Sequence, residues 1–157
     1  MVRKSTRKIK WVNSYKDIIN DVPTTAHLDE GTNAYYYEPT NTIYLIRGKS
    51  KKYDLHHETF HSIHHHSEHP RSPAEYVNRE VGANVYSYKK VKQPTHILSK
   101  LRGFYNELVT GEYEIRNNEA LSLIKRALIK NGAPESWMKD YTELKRQADK
   151  VSDDSVS

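Results

Sequence analysis

Six of the nine histidines lie within twelve residues, in the stretch LHHETFHSIHHH at 55 to 66. Inside this stretch, HETFH at 57 to 61 has the spacing H-E-x-x-H. Residues four apart lie on one face of a helix, so both imidazoles can reach a single metal ion. Glu58 lies about 60° around the helix from His61, beside the metal and not on it. The stretch therefore predicts a helix that carries a metal site.

A glutamate in that place suits the role of general base. Zinc lowers the pKa of its bound water toward 7, and the glutamate completes the deprotonation, so that hydroxide attacks a carbonyl polarised by the metal. The chain has no cysteine, and its metal ligands must therefore be His, Asp or Glu. We predict Zn2+ as the cofactor, His57 and His61 as ligands, and Glu58 as the catalytic residue.

A catalytic zinc site has three protein ligands, and one more is needed here. Ser67 stands where the metzincin pattern has its third histidine, so that pattern fails. In SPAE at 72 to 75, the serine is placed to cap a helix and Glu75 to complete the capping box. Glu80, more than a turn further into the same helix, is therefore the preferred third ligand. Glu75 and His69 remain the alternatives.

The pattern along the chain predicts an α+β fold. Residues 14 to 20 suggest a first helix, and AYYYEPTNTIYLIR at 34 to 47 is typical of a β-hairpin that turns at EPTN. Ser50 is placed to cap the H-E-x-x-H helix. Four more helices are expected, which begin at Ser72, Thr95, Asn117 or Asn118, and Pro134. We expect one domain over 1 to 150, with a basic arm at 1 to 10 and a disordered tail at 151 to 157.

The net charge is +5, and the basic residues form two clusters in the sequence. The clusters are Arg3, Lys4, Arg7, Lys8 and Lys10, and Arg47, Lys49, Lys51 and Lys52. Such clusters favour weak, non-specific binding of nucleic acid, although a solvated surface is the plainer interpretation. No apolar run is long enough to span a membrane, and no secretory apolar segment follows the N-terminus, so we expect a cytoplasmic protein.

Residues 41 to 88 resemble the ImmA/IrrE family of zinc metallopeptidases. The resemblance lies in a strand ending in IYLIRG, a basic KSKKYDL lead-in, HHETFH, and then EVGAN at 80 to 84 followed by Tyr86. The family has E-x-E-A-N-x-F-A in the second motif, so Gly82 departs from it, and Phe60 stands where glycine is usual. The resemblance implies a zincin-like fold, in which a small N-terminal β-sheet precedes a helical bundle that carries H-E-x-x-H, with Glu80 on zinc. It also implies cytoplasmic proteolysis of a regulatory protein, often a helix-turn-helix repressor, and many members come from phages or mobile elements.

Further candidates surround the predicted metal helix. His64 falls near His57 on a helical wheel and, with Tyr53, is a candidate for lining the cleft. Many zinc peptidases hold the substrate backbone on an edge strand, and the candidate strand here contains Ile43, Tyr44 and Leu45. The other histidines of the stretch are interpreted as surface residues.

Two other functions stay open at this point. One is a non-catalytic zincin-fold protein of a mobile element that binds or inhibits a partner, against which the intact Glu58 argues. The other is an HNH-like nucleic-acid-binding protein. HNH sites use a histidine on a strand, whereas the histidines here are predicted to lie on a helix.

Overall fold

The computed structural model describes residues 6 to 67 and 69 to 156, with side chains as far as Val151, and has an α+β fold. A small three-stranded sheet lies at the N-terminus, as the sequence predicts, and most of the helices follow it. The elements are β1 (Lys8–Val12), α1 (Tyr15–Asp21), β2 (Ala34–Tyr37), β3 (Thr42–Ile46), α2 (Lys52–Ile63), α3 (Pro73–Val91), α4 (Leu98–Val109), α5 (Asn117–Lys130) and α6 (Glu135–Val156). None of the helices in the described part of the chain combines the length and apolarity that a membrane crossing requires.

The sheet has the strand order β1-β3-β2. The predicted hairpin is present, because β2 and β3 pair antiparallel with Ala34 opposite Leu45. Asn41 ends the turn between them with φ of 49°, a left-handed conformation that asparagine tolerates better than most residues. Strand β1 pairs with β3 in parallel and occupies residues 8 to 12, of which 8 to 10 were predicted to belong to a basic arm.

Strand β3 is buried on both faces of the sheet. Ile43 and Leu45 contact one another in a cluster that Leu55 of α2 joins, whereas Ile46 packs on the other face with Ile18 of α1. Alternate residues of a strand point to opposite faces, so the two helices on opposite faces explain why all five residues of β3 are buried.

The prediction of β3 as a substrate-binding edge strand is wrong. Ile43, Tyr44 and Leu45 are buried core residues, and β3 forms ladders with β1 on one side and β2 on the other. A substrate strand needs an unpaired edge, and a strand with two neighbours has none. The prediction overlooked β1, which pairs with the second edge of β3. Lysines alternate along the start of β1, so its sequence does not have the apolar pattern of a buried strand.

Two predicted helix caps have different outcomes. The Ser72 hydroxyl accepts a hydrogen bond from the Glu75 N–H at 3.1 Å, as predicted for the start of α3. Ser50 does not cap α2, since its hydroxyl accepts from the Ile46 N–H at 2.7 Å instead. The start of α2 is stabilised by Asp54, whose carboxylate accepts from the Lys51 N–H at 2.9 Å.

The chain divides into two compact units, and one domain over residues 1 to 150 stays a prediction. The first comprises the residues up to 69 together with 86 to 91, and contains the sheet, α1, α2 and the end of α3. The second comprises residues 70 to 85 and the chain from 92 onward, and α4, α5 and α6 pack on one another within it. Its buried core includes Leu101, Leu108, Ile124, Leu128, Trp137 and Leu144. Helix α6 is described as far as Val156, and a disordered tail at 151 to 157 stays a prediction.

Candidate metal site

Helix α2 presents two imidazoles to the same point. The Nε2 atoms of His57 and His61 lie 3.1 Å apart, and the ring centroids are 4.9 Å apart. Two nitrogen ligands at 2.0–2.1 Å from a tetrahedral zinc would be separated by about 3.3 Å. The separation therefore fits two ligands that share one metal ion. His61 is buried and His57 is partly buried, so the rings are held by the protein.

Glu80 of α3 completes a group of three potential ligands. One ligand atom from each of His57, His61 and Glu80 lies within 4.8 Å of the other two. Ligand atoms at about 2 Å from one ion are at most about 4 Å apart, so this group needs only a small adjustment to share an ion. Within the described part of the chain, these three residues lie close enough to bind a metal ion, and His69 is not among them.

Glu75, the other carboxylate candidate, serves the start of α3. Its carboxylate accepts a hydrogen bond from the Arg71 N–H at 2.9 Å and pairs with the Arg79 guanidinium. The hydrogen bond from Arg71 lowers the pKa of this carboxyl group, and the charge of Arg79 lowers it further. Glu80 lies five residues further along, about 140° around the helix, and so projects from a different face. Glu75 thus has the predicted role at the start of α3, and Glu80 as the third metal ligand stays a prediction.

The last turns of α3 pack directly on α2. The Tyr86 ring lies 5.7 Å from that of Phe60 and 6.4 Å from that of His56. The Ser87 hydroxyl donates to the Tyr53 carbonyl at 3.1 Å. Glu80 lies on the same continuous helix, about two turns before Ser87.

Burial lowers the pKa of the His56 imidazole, and the nearby lysines add to the effect.

A buried polar network holds the end of α2 against the sheet. The Ser62 hydroxyl donates to the Asn41 side-chain oxygen at 2.9 Å, and the Tyr36 hydroxyl donates to the same oxygen at 3.0 Å. The Arg7 Nε donates to the Ser62 hydroxyl at 2.8 Å. Because Ser62 follows His61 directly, this network fixes the rotation of α2 at this candidate metal ligand. No sequence pattern predicts this network, since only the folded sheet brings these residues together.

The remaining predicted site residues lie in different surroundings. Glu58 is partly buried on α2 and is outside the group of three ligands. Tyr53 is partly buried, with its ring centroid 6.4 Å from that of His57. His64 is exposed at the C-cap of α2, and its ring lies 4.3 Å from that of Phe60. Tyr53 thus lies beside the candidate ligand His57, whereas the ring of His64 contacts that of Phe60, one turn earlier in the chain.

His66, interpreted from the sequence as a surface residue, contacts a metal-ligand candidate. Its Nδ1 lies 2.9 Å from Nδ1 of His61, and the ring centroids are 5.1 Å apart. His61 therefore has one ring nitrogen facing His57 and the other facing His66. No spacing rule for helices predicts this contact, because His66 lies beyond the end of α2.

Several residues of the two basic clusters have local partners. Lys10 pairs with Asp21, Lys49 pairs with Glu30 at 3.6 Å, and Arg47 donates to the Asn13 side chain at 2.9 Å. Lys8, Lys51 and Lys52 are exposed, and Arg3 and Lys4 lie outside the described residues. Binding of nucleic acid through these clusters stays a prediction.

No family model, no curated protein and no solved structure matches the chain. The resemblance to the ImmA/IrrE family accordingly stays a prediction.

Proposed function

We propose that the protein is a zinc-dependent endopeptidase with a zincin-like fold, related to the ImmA/IrrE family. The proposal rests on one observation, the convergence of ligand atoms from His57, His61 and Glu80 within 4.8 Å. By the family resemblance, the substrate would be a cytoplasmic regulatory protein such as a helix-turn-helix repressor. The family resemblance also supports an origin in a phage or mobile element.

The donor set favours zinc and a catalytic role. Two imidazole nitrogens and one carboxylate form a set that is typical of catalytic zinc, whereas structural zinc sites have four protein ligands. Magnesium and calcium prefer oxygen ligands, and a pair of imidazoles disfavours both. A three-residue set leaves one coordination position for water or substrate.

Different residues of the chain would bind the metal and transfer the proton during peptide hydrolysis. When bound, zinc supplies Lewis-acid activation of a water molecule and of the scissile carbonyl group. His57, His61 and Glu80 would hold the ion. Glu58 would accept the proton of the attacking water and then donate it to the nitrogen of the leaving amine, a general acid–base role. The position of Glu58 on α2, directly after one ligand and outside the ligand group, supports this role.

The variant Glu58→Gln tests this function, because it keeps the shape of the side chain and removes the base. We expect zinc content to stay at the wild-type level while cleavage falls by roughly 10²–10⁴-fold. The readout is mass spectrometry of new N-termini, first on DNA-binding repressors of the same genome and then on a whole proteome. Glu119→Gln is the matched control, since Glu119 is exposed on α5 and should leave cleavage unchanged.

Two outcomes would contradict the proposal. Equal cleavage by Glu58→Gln and wild type would show that this glutamate is not the base. A zinc-loaded wild type that cleaves nothing across the proteome would leave a zinc-binding protein without peptidase activity.

A further inference from the structure

We infer that His66 is a positioning residue for the metal site, which holds the His61 ring with Nε2 directed at the ion. The inference rests on the proposed metal site and extends it to a residue beyond the H-E-x-x-H helix. Its basis is the 2.9 Å separation between Nδ1 of His61 and Nδ1 of His66.

The shared hydrogen bond determines the proton positions of both rings once His61 binds a metal. If Nε2 of His61 is the ligand atom, its Nδ1 must carry the proton and donate it. Nδ1 of His66 is then the acceptor, and His66 carries its own proton on Nε2. A partner that accepts from the second nitrogen fixes the tautomer and the orientation of a metal-binding imidazole and makes it a better ligand.

The end of α2 brings His66 to this position through its backbone. The His66 N–H donates to the His61 carbonyl at 2.9 Å, and the His65 N–H donates to the Ser62 carbonyl at 3.1 Å. These two bonds form a Schellman motif, with His65 in the left-handed conformation at φ of 52°. In this motif the residue after the left-handed one returns to the last turn of the helix and contacts the side chain there. Here the two contacting side chains are imidazoles.

Neighbouring rings restrict the His66 side chain further. His64 stacks on His66 with an interplanar angle of 19° and a centroid distance of 5.5 Å. The Phe60 ring lies 5.7 Å from that of His66. His66 is partly buried among these rings, so its orientation is set before a metal binds.

Three variants of the full-length chain test the inference through zinc affinity, measured by competition with a chromophoric chelator. His66→Phe keeps a ring of similar size but removes the acceptor, and we expect zinc affinity to fall 10–100-fold. His66→Asn places an amide oxygen near the position of Nδ1, and we expect it to restore most of the affinity. His65→Asn is the matched control, because it removes a neighbouring histidine and keeps a residue that tolerates positive φ. We expect it to bind zinc as wild type does.

A second measurement does not depend on how the variants fold. The ¹⁵N spectrum of the zinc-loaded wild type should show His61 protonated at Nδ1 and His66 protonated at Nε2. Wild-type affinity of His66→Phe, or a metal bond at Nδ1 of His61, would overturn the inference and leave the peptidase proposal intact. A wild type that binds no zinc would refute the proposed function itself.

Discussion

Helices α2 and α5 end with the same pattern of backbone hydrogen bonds, but different kinds of residue occupy the corresponding positions. At the end of α5, the Ala133 N–H donates to the Leu128 carbonyl at 3.0 Å, and the Gly132 N–H donates to the Ile129 carbonyl at 3.1 Å. Gly132 has φ of 69°, where glycine is strain-free. Leu128, in the last turn, is fully buried. The glycine at positive φ and the buried apolar residue together stabilise this end of α5.

At the end of α2, histidines occupy the two corresponding positions. His65 replaces the glycine, and the turn brings the imidazole of His66 into an edge contact with that of His61. A residue other than glycine in the left-handed region lowers the stability of the fold by about 1–2 kcal/mol. Local strain of this kind persists where the surrounding structure holds it, often at functional sites. We expect the end of α5 to stabilise the fold and the end of α2 to support the proposed metal site.

The largest effect is expected for Leu128→Ala in α5. Removal of this buried side chain should lower the free energy of unfolding by about 2–5 kcal/mol. Because the loss is apolar, it should be the same with zinc and with a chelator. Urea unfolding under both conditions measures it, and Ile129→Ala, at an exposed neighbour, should change stability by less than about 0.5 kcal/mol. A zinc-dependent loss for Leu128→Ala would break the distinction between the two helix ends.

The next effect is expected for His61→Ala in α2 and should depend on zinc. At a zinc concentration 100 times the dissociation constant, wild type should gain about 2.7 kcal/mol of stability, whereas the variant should lose most of this gain. Thermal unfolding with and without zinc is the measurement. His69→Ala is the control, since His69 is exposed and outside the ligand group, and its zinc response should match wild type. Loss of the response in the control would identify His69 as a ligand.

Gly132→Ala tests the glycine of α5. The alanine must adopt positive φ, so we expect the free energy of unfolding to fall by about 1–2 kcal/mol. Chemical unfolding of the variant measures the change. Gly132 is exposed, so the loss would come from backbone conformation and not from packing. An unchanged stability would mean that this turn relaxes on substitution.

The smallest effect is expected for His65→Gly in α2, and it has the opposite sign. Relief of the left-handed strain should outweigh the larger entropy of the unfolded chain, so stability should rise by up to about 1 kcal/mol. The same unfolding experiment measures it, in the presence of chelator. Zinc affinity should not fall, because His66 keeps its position. A loss of stability would mean that the His65 side chain itself stabilises the turn.

Features determined by neighbouring residues could be predicted from the sequence. The H-E-x-x-H spacing predicts one helical face, and α2 indeed brings His57 and His61 together. The capping box predicts both the start of α3 and the engagement of Glu75 at that start. The aromatic runs around the EPTN turn predict the hairpin of β2 and β3. Each of these depends on contacts within a few residues, which the periodicity of helices and strands encodes.

Other features depend on residues that are far apart in the chain, and only the tertiary structure decides them. Lys8–Val12 becomes a strand because β3 pairs with it, and that pairing turns β3 from a predicted edge into the centre of the sheet. The approach of Glu80 to the two histidines likewise joins two helices. His66 reaches His61 only because the chain reverses at a left-handed residue, a backbone state that is uncommon for residues other than glycine and that no pattern of residues encodes. Local spacing thus determined which residues are candidates, and long-range pairing and one backbone reversal decided which of them meet.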